Sequence, residues 1–190
     1  EDGDLDLLAE SRAFPIFCPT THGIGGKPMN TNYLSKLNVD WGIGTDCSGG
    51  NDDYDMFEEM RTALVLNNSV AKYNFIKPKD IFRKASEENI SRISGGVFSG
   101  TLSKNQKADF ITVSINTPRM QPLHDVINNI VMCASSKEVK DVYIEGECIV
   151  KDSKFQNIDE EIILEEGINA INTLFTKTGF DKKILDGDFS

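Results

Sequence analysis

The chain has 190 residues, of which 39% are hydrophobic and 26% are charged, proportions typical of a globular protein with one or two domains. Its net charge of −10 argues against nucleic acid and anionic membrane as partners, because both would repel it. Four cysteines without C-x-x-C spacing predict reduced thiols in a cytoplasmic protein, rather than a disulfide framework or a zinc knuckle. No apolar run reaches the roughly 18 residues of a membrane-spanning helix.

Helices and strands are predicted to alternate in residues 1–95. The predicted elements, in chain order, are the end of a helix at residues 5–10, a strand over 13–18, a glycine-rich loop over 23–30, a helix over 32–37, a strand over 39–45, a helix begun by Asp55 and a helix begun by Pro78. Asp55 is followed by Glu58 in the spacing of a capping box, and proline suits the first turn of a helix. This alternation is typical of parallel α/β structure.

Short strands dominate the prediction from residue 96 to residue 155. The predicted elements are a β-branched strand over 108–115, a helix over 123–134, and two strands over 139–144 and 148–151 that form a hairpin about residues 145–147. Asp159 is expected to cap a last helix, whose apolar stripe is Leu164, Ile168, Ile171 and Phe175. A polar, peripheral tail is expected from residue 177. The predicted divisions are 1–95, 96–155 and 156–190.

A short apolar strand that ends on the carboxylate of Asp46 is the most informative motif. It runs through Val39, Trp41 and Ile43 into Gly44, and a loop of small residues, 47–51, follows Asp46. Parallel β/α barrels present catalytic and metal-binding groups in this way, at the carboxyl ends of buried strands. On these residues alone, Asp46 could equally be an ordinary carboxylate before a helix.

Five segments, taken together and in order, resemble the C-terminal part of the amidohydrolase superfamily. They are Cys18-Pro19-Thr20-Thr21, Gly44-Thr45-Asp46, residues 51–61, residues 100–110 and residues 121–125. The most similar branch is that of the methylthioadenosine/S-adenosylhomocysteine deaminases and their chlorohydrolase relatives. The resemblance covers roughly residues 5–165. It implies an α/β fold, in which the chain is a C-terminal fragment of a β/α (TIM-like) barrel with a small adjoining β-rich domain.

The same resemblance implies the chemistry. In this family a divalent metal, zinc or iron, activates a water molecule that attacks a ring carbon bearing an amino or chloro group. Asp46 matches the aspartate of the last barrel strand, which implies roles as a metal ligand and as a catalytic proton shuttle. His22 stands where the family usually has an asparagine and is assigned to substrate binding. The chain has only two histidines, His22 and His124, so the family's remaining histidine ligands are absent from it.

One carboxylate cannot hold a catalytic zinc ion, which takes about three protein ligands. No divalent metal is therefore expected to bind securely to this chain alone. The start at Glu1 rather than methionine adds the expectation of a missing N-terminal barrel segment or a companion chain. Strand edges left uncovered in half a barrel predict an oligomer or a bound partner.

Less specific interpretations accompany the other candidate residues. His22 could be an ordinary loop residue, and His124 a structural histidine before a helix. Cys47 could turn its thiol toward the site, although a small buried cysteine is the more common case. The acidic residues 52–55 could bind a cation, but such a run more often caps a helix.

Two function classes follow. The first is part of a metal-dependent amidohydrolase that deaminates or dechlorinates a small nitrogen heterocycle, with this chain inactive by itself. The alternative is a non-catalytic relic of the family that acts as a structural or partner-binding module.

Overall fold

A computed structural model of the chain describes residues 3–11, 13–27, 31–71 and 75–178. The α-helices are α1 Asp4–Glu10, α2 Pro19–Ile24, α3 Thr31–Lys36, α4 Ser48–Asn51, α5 Met56–Val70, α6 Pro78–Arg83, α7 Asn89–Ile93, α8 Val126–Cys133 and α9 Glu160–Thr178. The strands are β1 Ile16–Phe17, β2 Gly42–Ile43, β3 Phe110–Val113, β4 Val139–Ile144, β5 Glu147–Lys151 and β6 Lys154–Phe155. A single π-helical turn, Lys84–Glu88, joins α6 to α7.

β1 and β2 form a parallel pair, with Ile16 opposite Gly42 and Phe17 opposite Ile43. Phe17 and Ile43 are fully buried and lie in the main core. The parallel α/β arrangement predicted for this part of the chain is therefore observed. Both strands are shorter than the predicted 13–18 and 39–45, because the paired ladder extends over only two residues of each.

Among the described residues, the outer edge of β2 pairs with a side chain rather than with another strand. The Ile43 amide donates to the Asn89 side-chain oxygen over 3.1 Å, and the Asn89 side-chain amide donates to the Ile43 carbonyl. A Cβ atom on residue 42 would collide with the same Asn89 oxygen, which explains the glycine there. Asn89 follows directly after the π-helical turn, so that turn sets the register that brings it to β2.

The predicted glycine-rich loop over residues 23–30 is wrong at its start. Pro19 begins a helix that continues to Ile24, since proline at the first helical position has a suitable fixed φ and no amide to leave unpaired. Gly25 and Gly26 then end the helix, with Gly26 in the left-handed region at φ 67°. Residues 28–30 of the predicted loop lie outside the described residues.

The helix starts predicted from capping residues are confirmed. Asp55 accepts from the amides of Phe57 and Glu58 at the start of α5. Asp159 accepts from the amides of Glu161 and Ile162 at the start of α9. The helix predicted over 32–37 is observed one residue earlier, as α3.

β3, β4, β5 and β6 form an antiparallel sheet in chain order. The predicted hairpin about residues 145–147 is confirmed as the β4–β5 turn, in which Glu145 and Gly146 both have positive φ. β6 was not predicted. Its turn at Asp152 and Ser153 also has positive φ at both positions but contains no glycine, so the usual hairpin signal is missing.

Three of the four residues in the predicted apolar stripe of α9 are solvent-exposed in the described chain, and the fourth, Phe175, is half-buried. Leu164, Ile168 and Ile171 are 66%, 59% and 43% exposed. Lys177 belongs to α9, and the rest of the predicted tail, residues 179–190, lies outside the described residues. Among the described helices, none is both long and apolar enough to cross a membrane.

The core joins residues from both sides of the predicted boundary at residue 95. Met60 and Ala63 of α5 are buried together with Met120, Val131 and Ala134 from the later part of the chain. Arg61 reinforces this contact, because its guanidinium donates to the carbonyls of Met132 and Ala134 at the end of α8. The division into three regions remains a prediction.

Candidate functional site

The carboxyl ends of β1 and β2 bring two segments of the chain together. α2 follows β1, and the segment Gly44–Cys47 follows β2 and leads into α4. Gly50 lies between the side chains of these segments: a Cβ on it would be 3.3 Å from Thr21 Oγ1 and 3.4 Å from Asp46 Oδ2. The structure therefore places Asp46 beside Thr21, at the edge where parallel strands present functional groups.

Asp46 has an unusual backbone conformation and a fixed carboxylate. Its φ of 63° lies in the left-handed region, which aspartate tolerates better than most residues. Oδ1 accepts from the Cys47 amide over 2.8 Å. The side chain is exposed, and within the described residues no lysine, arginine or histidine forms an ion pair with it. The carboxylate is thus oriented by its own loop while Oδ2 remains available to a ligand.

Three consecutive residues of α2 carry buried polar atoms without a hydrogen-bond partner among the described residues. They are Thr20 Oγ1, Thr21 Oγ1 and His22 Nδ1. A buried polar group left unpaired costs about 1–3 kcal/mol, so such atoms in a native protein call for a water molecule or a ligand. Thr21 lies beside Asp46 across Gly50, and Thr20 and His22 are its neighbours in α2, so most of the unpaired buried polar atoms of the described residues adjoin one side of the candidate site.

His22 lies in the last turn of α2, not in a loop. Its ring stacks on Phe17 of β1, with ring centroids 5.3 Å apart and planes at 25°. The stacking fixes the plane of the imidazole against the core. His124, by contrast, is exposed just before α8 and takes no part in this cluster.

A fully buried carboxylate connects the two segments. Glu59 of α5 accepts from the Thr20 amide over 3.1 Å through Oε2 and from Asn51 Nδ2 over 2.7 Å through Oε1. The same Asn51 nitrogen donates to the Thr45 carbonyl over 3.0 Å. Sequence analysis missed Glu59 and Asn51. The available signal was a charged residue on the apolar face of α5, three residues after Met56 and four before Ala63.

The two cysteines near the site differ in environment. Burial raises the pKa of the Cys18 thiol, the negative charges of Asp46 and Glu59 add to that increase, and a hydrogen bond with the Asp46 backbone opposes it. Cys18 is therefore a protonated, weakly nucleophilic thiol. The expectation of a buried Cys47 is wrong: it caps α4 with extended backbone and is exposed.

The acidic run before α5 has the helix-capping role. Asp55 caps the helix through Oδ1, and its Oδ2 accepts from the Ser136 amide over 2.8 Å. Asp53 accepts from the Asp55 amide and so shapes the turn that precedes the helix. These contacts account for two members of the run without a bound cation.

The donor set does not by itself fit a catalytic metal. Within the part of the chain that the structure describes, no three His, Cys, Asp or Glu side chains are grouped as metal ligands would be. Zinc in a hydrolytic centre takes three protein ligands and keeps one position for water. Asp46 can supply one of the three.

The family of the chain follows from comparison with known sequences. The amidohydrolase family profile matches residues 17–149, most of the chain. The chain therefore belongs to the amidohydrolase family, as the order of its motifs predicted.

Named relatives share the branch suggested by the motifs. The chain is 28% identical over 174 residues to 5-methylthioadenosine/S-adenosylhomocysteine deaminase 1 of Archaeoglobus fulgidus, a match covering 90% of this chain and 41% of the relative. It is 31% identical over 167 residues to the 5-methylthioadenosine/S-adenosylhomocysteine deaminase of Bacillus cereus, covering 87% and 38%. The chain thus spans about two-fifths of the length of these relatives.

Solved structures have the same fold over a similar share of their length. An adenosine deaminase of Xanthomonas campestris with bound zinc superposes with a TM-score of 0.85 at 24% identity, covering 93% of this chain and 40% of its own. A variant of atrazine chlorohydrolase from Arthrobacter aurescens, complexed with zinc and atraton, gives 0.76 at 16% identity, covering 87% and 37%. The names and titles of these relatives and structures are those of enzymes.

Proposed function

We propose that this chain is the C-terminal part of a metal-dependent amidohydrolase that removes an amino or chloro group from a purine-like or other nitrogen heterocycle. Residues 1–95 would form the closing strands and helices of a β/α barrel, and residues 96–155 part of a small β-rich domain beside it. Family membership and the deaminase and chlorohydrolase relatives support the reaction class. The parallel pairing of β1 with β2 supports the barrel.

The observation that carries the proposal is the placement of Asp46. Its carboxylate lies at the carboxyl end of a buried parallel strand and is held on one oxygen by the Cys47 amide, while the other oxygen accepts no hydrogen bond from the residues that the structure describes. It would contribute one ligand to a zinc or iron ion, and the remaining ligands would have to come from outside this chain's described residues, in another segment of the protein or a companion chain. Bound there, the metal would supply an activated water molecule.

Asp46 then moves a proton. Its carboxylate accepts a proton as the water oxygen bonds to the ring carbon, and returns it to the amino nitrogen as the carbon–nitrogen bond breaks and ammonia leaves. In dechlorination, chloride leaves with the bonding electron pair and the proton passes to solvent. The fixed Oδ1 keeps Oδ2 aimed at the reacting atoms, which reduces the entropy cost of each transfer.

The unpaired atoms of α2 provide the substrate contacts. Thr21 Oγ1 and His22 Nδ1 are polar and buried, and Thr21 lies beside Asp46 across Gly50. Ring nitrogens and exocyclic groups of a heterocycle can pair with both, which would remove their desolvation penalty. His22 is thus assigned to substrate binding.

The test uses Asp46→Asn in the protein isolated with whatever segment or companion chain accompanies it in its source. The probes are 5′-methylthioadenosine, S-adenosylhomocysteine, adenosine and atrazine, and the readout is release of ammonia or chloride. We expect kcat to fall on the order of 1,000-fold, since a positioned acid–base group contributes about that much.

Asp52→Asn is the matched control. Asp52 has the same φ of 63° and is exposed, so the substitution makes the same chemical change in the same backbone conformation. It should leave kcat within about twofold of the original, since it lies away from the reacting atoms. An Asp46→Asn protein as active as the Asp52→Asn protein would contradict the assignment, and a wild-type protein inactive on all four probes would contradict the reaction class.

A further inference from the structure

Glu59 occupies a position that the proposed reaction does not explain. It is fully buried, and within the described residues no lysine, arginine or histidine pairs with its charge. Burial of an ionised carboxylate is costly unless its oxygens are well hydrogen-bonded. Both oxygens have a donor, but the donors are neutral and come from different parts of the chain.

Those donors belong to the two segments that carry the candidate site. Oε2 accepts from the amide of Thr20, which directly precedes Thr21 and His22. Oε1 accepts from Asn51, whose amide also holds the carbonyl of Thr45, the residue directly before Asp46. One carboxylate on α5 therefore connects the segment after β1 with the segment after β2.

Among the described residues, no backbone hydrogen bond joins the two segments beyond the end of the β1–β2 pair. The last β1–β2 main-chain bond runs from the Gly44 amide to the Phe17 carbonyl, before either segment reaches the site. Beyond that bond, the described connections between them include Glu59 and the close approach of Thr21 to Gly50. The spacing between Asp46 and the α2 groups thus depends on a side chain that is itself fixed on a long, well-packed helix.

We propose that Glu59 is a positioning residue for the amidohydrolase site: through Thr20 and through Asn51–Thr45 it sets the distance between Asp46 and the substrate-facing groups of α2. The inference rests on the function proposed above. In this role Glu59 itself contacts neither the substrate nor the metal. Its effect on catalysis comes from alignment, where a displacement of about 1 Å can cost on the order of 100-fold in rate.

Glu59→Gln is the first test variant. Glutamine keeps the size of the side chain but replaces one acceptor oxygen with an amide nitrogen, which then faces a donor, so one of the two bonds is lost. We expect kcat to fall on the order of 100-fold, with KM changed by less than about threefold, because orientation rather than binding is impaired. Glu58→Gln, on the same helix but exposed, is the matched control and should leave kcat unchanged.

The double variant Glu59→Gln with Asn51→Asp separates positioning from simple stability. The glutamine oxygen can accept from the Thr20 amide, as the glutamate does. Its nitrogen can donate to the new aspartate, so the hydrogen bond with residue 51 is restored with donor and acceptor exchanged. The aspartate cannot donate to the Thr45 carbonyl, so the link to Asp46 stays broken. Positioning predicts that thermal stability recovers only in part, because the Thr45 carbonyl stays unpaired, while kcat stays as low as in Glu59→Gln. Recovery of kcat to the wild-type value would overturn the proposal.

Amide hydrogen exchange gives a readout that does not depend on activity. In Glu59→Gln, exchange should accelerate in residues 20–22, in residues 45–48, or in both. In the double variant it should return to the wild-type rate in residues 20–22 only. Unchanged exchange in both segments of Glu59→Gln would overturn the proposal. Failure of the wild-type protein on every substrate probe would reject the proposed function, and the exchange pattern would still decide whether Glu59 links the two segments.

Discussion

Replacing Asn89 with alanine tests how the edge of β2 is closed. Asn89 is 8% exposed, and its side chain pairs with both the amide and the carbonyl of Ile43, itself 1% exposed. Alanine removes both partners at once and leaves two main-chain groups buried. Each unpaired group costs about 1–3 kcal/mol, so we expect a loss of about 2–6 kcal/mol in the free energy of unfolding.

Urea unfolding followed by tryptophan fluorescence measures this loss directly. Trp41 is the single tryptophan, is 4% exposed and adjoins β2, so its emission reports on the affected strand. Asn89→Asp keeps the acceptor for the Ile43 amide but places a buried carboxylate oxygen against the Ile43 carbonyl, and should destabilise at least as much as Asn89→Ala. Asn128→Ala, an exposed position in α8, should change stability by less than about 0.5 kcal/mol. An equally small effect of Asn89→Ala would refute the edge-closing role.

Two further predictions concern carboxylates away from the site. A hydrogen bond from the Asp152 backbone, another from Thr112 and the nearby Lys151 lower the pKa of Asp141 from 3.8 to about 2. The stability that this shift contributes is present above pH 3.8 and is lost as the pH falls towards 2. Asp141→Asn should remove this contribution, as measured by acid titrations followed by circular dichroism. Asp55→Ala removes the cap of α5 and the acceptor for Ser136, and should lower the free energy of unfolding by about 1–2 kcal/mol in urea titrations.

Exposed carboxylates serve as controls for both. Asp6→Asn should show the same pH dependence of stability as the wild type, because Asp6 is exposed in α1. Glu58 lies in the first turn of α5 but does not cap the helix. Glu58→Ala should therefore lower the free energy of unfolding by less than about 0.5 kcal/mol. A pH profile of Asp141→Asn that superposes on the wild type, or an Asp55→Ala protein as stable as Glu58→Ala, would contradict the corresponding prediction.

Local signals in the sequence predicted the elements whose causes are local. The start of α5 follows from Asp55 and its backbone bonds within the first turn, and the β4–β5 hairpin follows from the glycine at position 146. α2 was missed because threonine and glycine are weak helix formers, and the helix depends on the proline at its first position. The turn before β6 was missed because aspartate and serine occupy conformations that usually indicate glycine or asparagine.

The candidate site was only partly predictable, because its contacts join residues that are distant in the sequence. The strand-end motif located Asp46, and the ordered motifs indicated the family. The link from Glu59 to Thr20 spans 39 positions and that from Asn89 to Ile43 spans 46, so neither produces a periodic or spaced pattern. Stacking of His22 on Phe17 likewise depends on the turn geometry of α2, which was itself mispredicted.

The metal content of the protein isolated from its source tests most directly whether Asp46 completes a metal centre. Elemental analysis would compare the wild type with Asp46→Asn and Asp52→Asn, each purified with its accompanying segment or chain. The account predicts zinc or iron in stoichiometric amount in the wild type and in Asp52→Asn, and a clear loss in Asp46→Asn. A wild-type protein free of metal, or equal metal in all three, would contradict it.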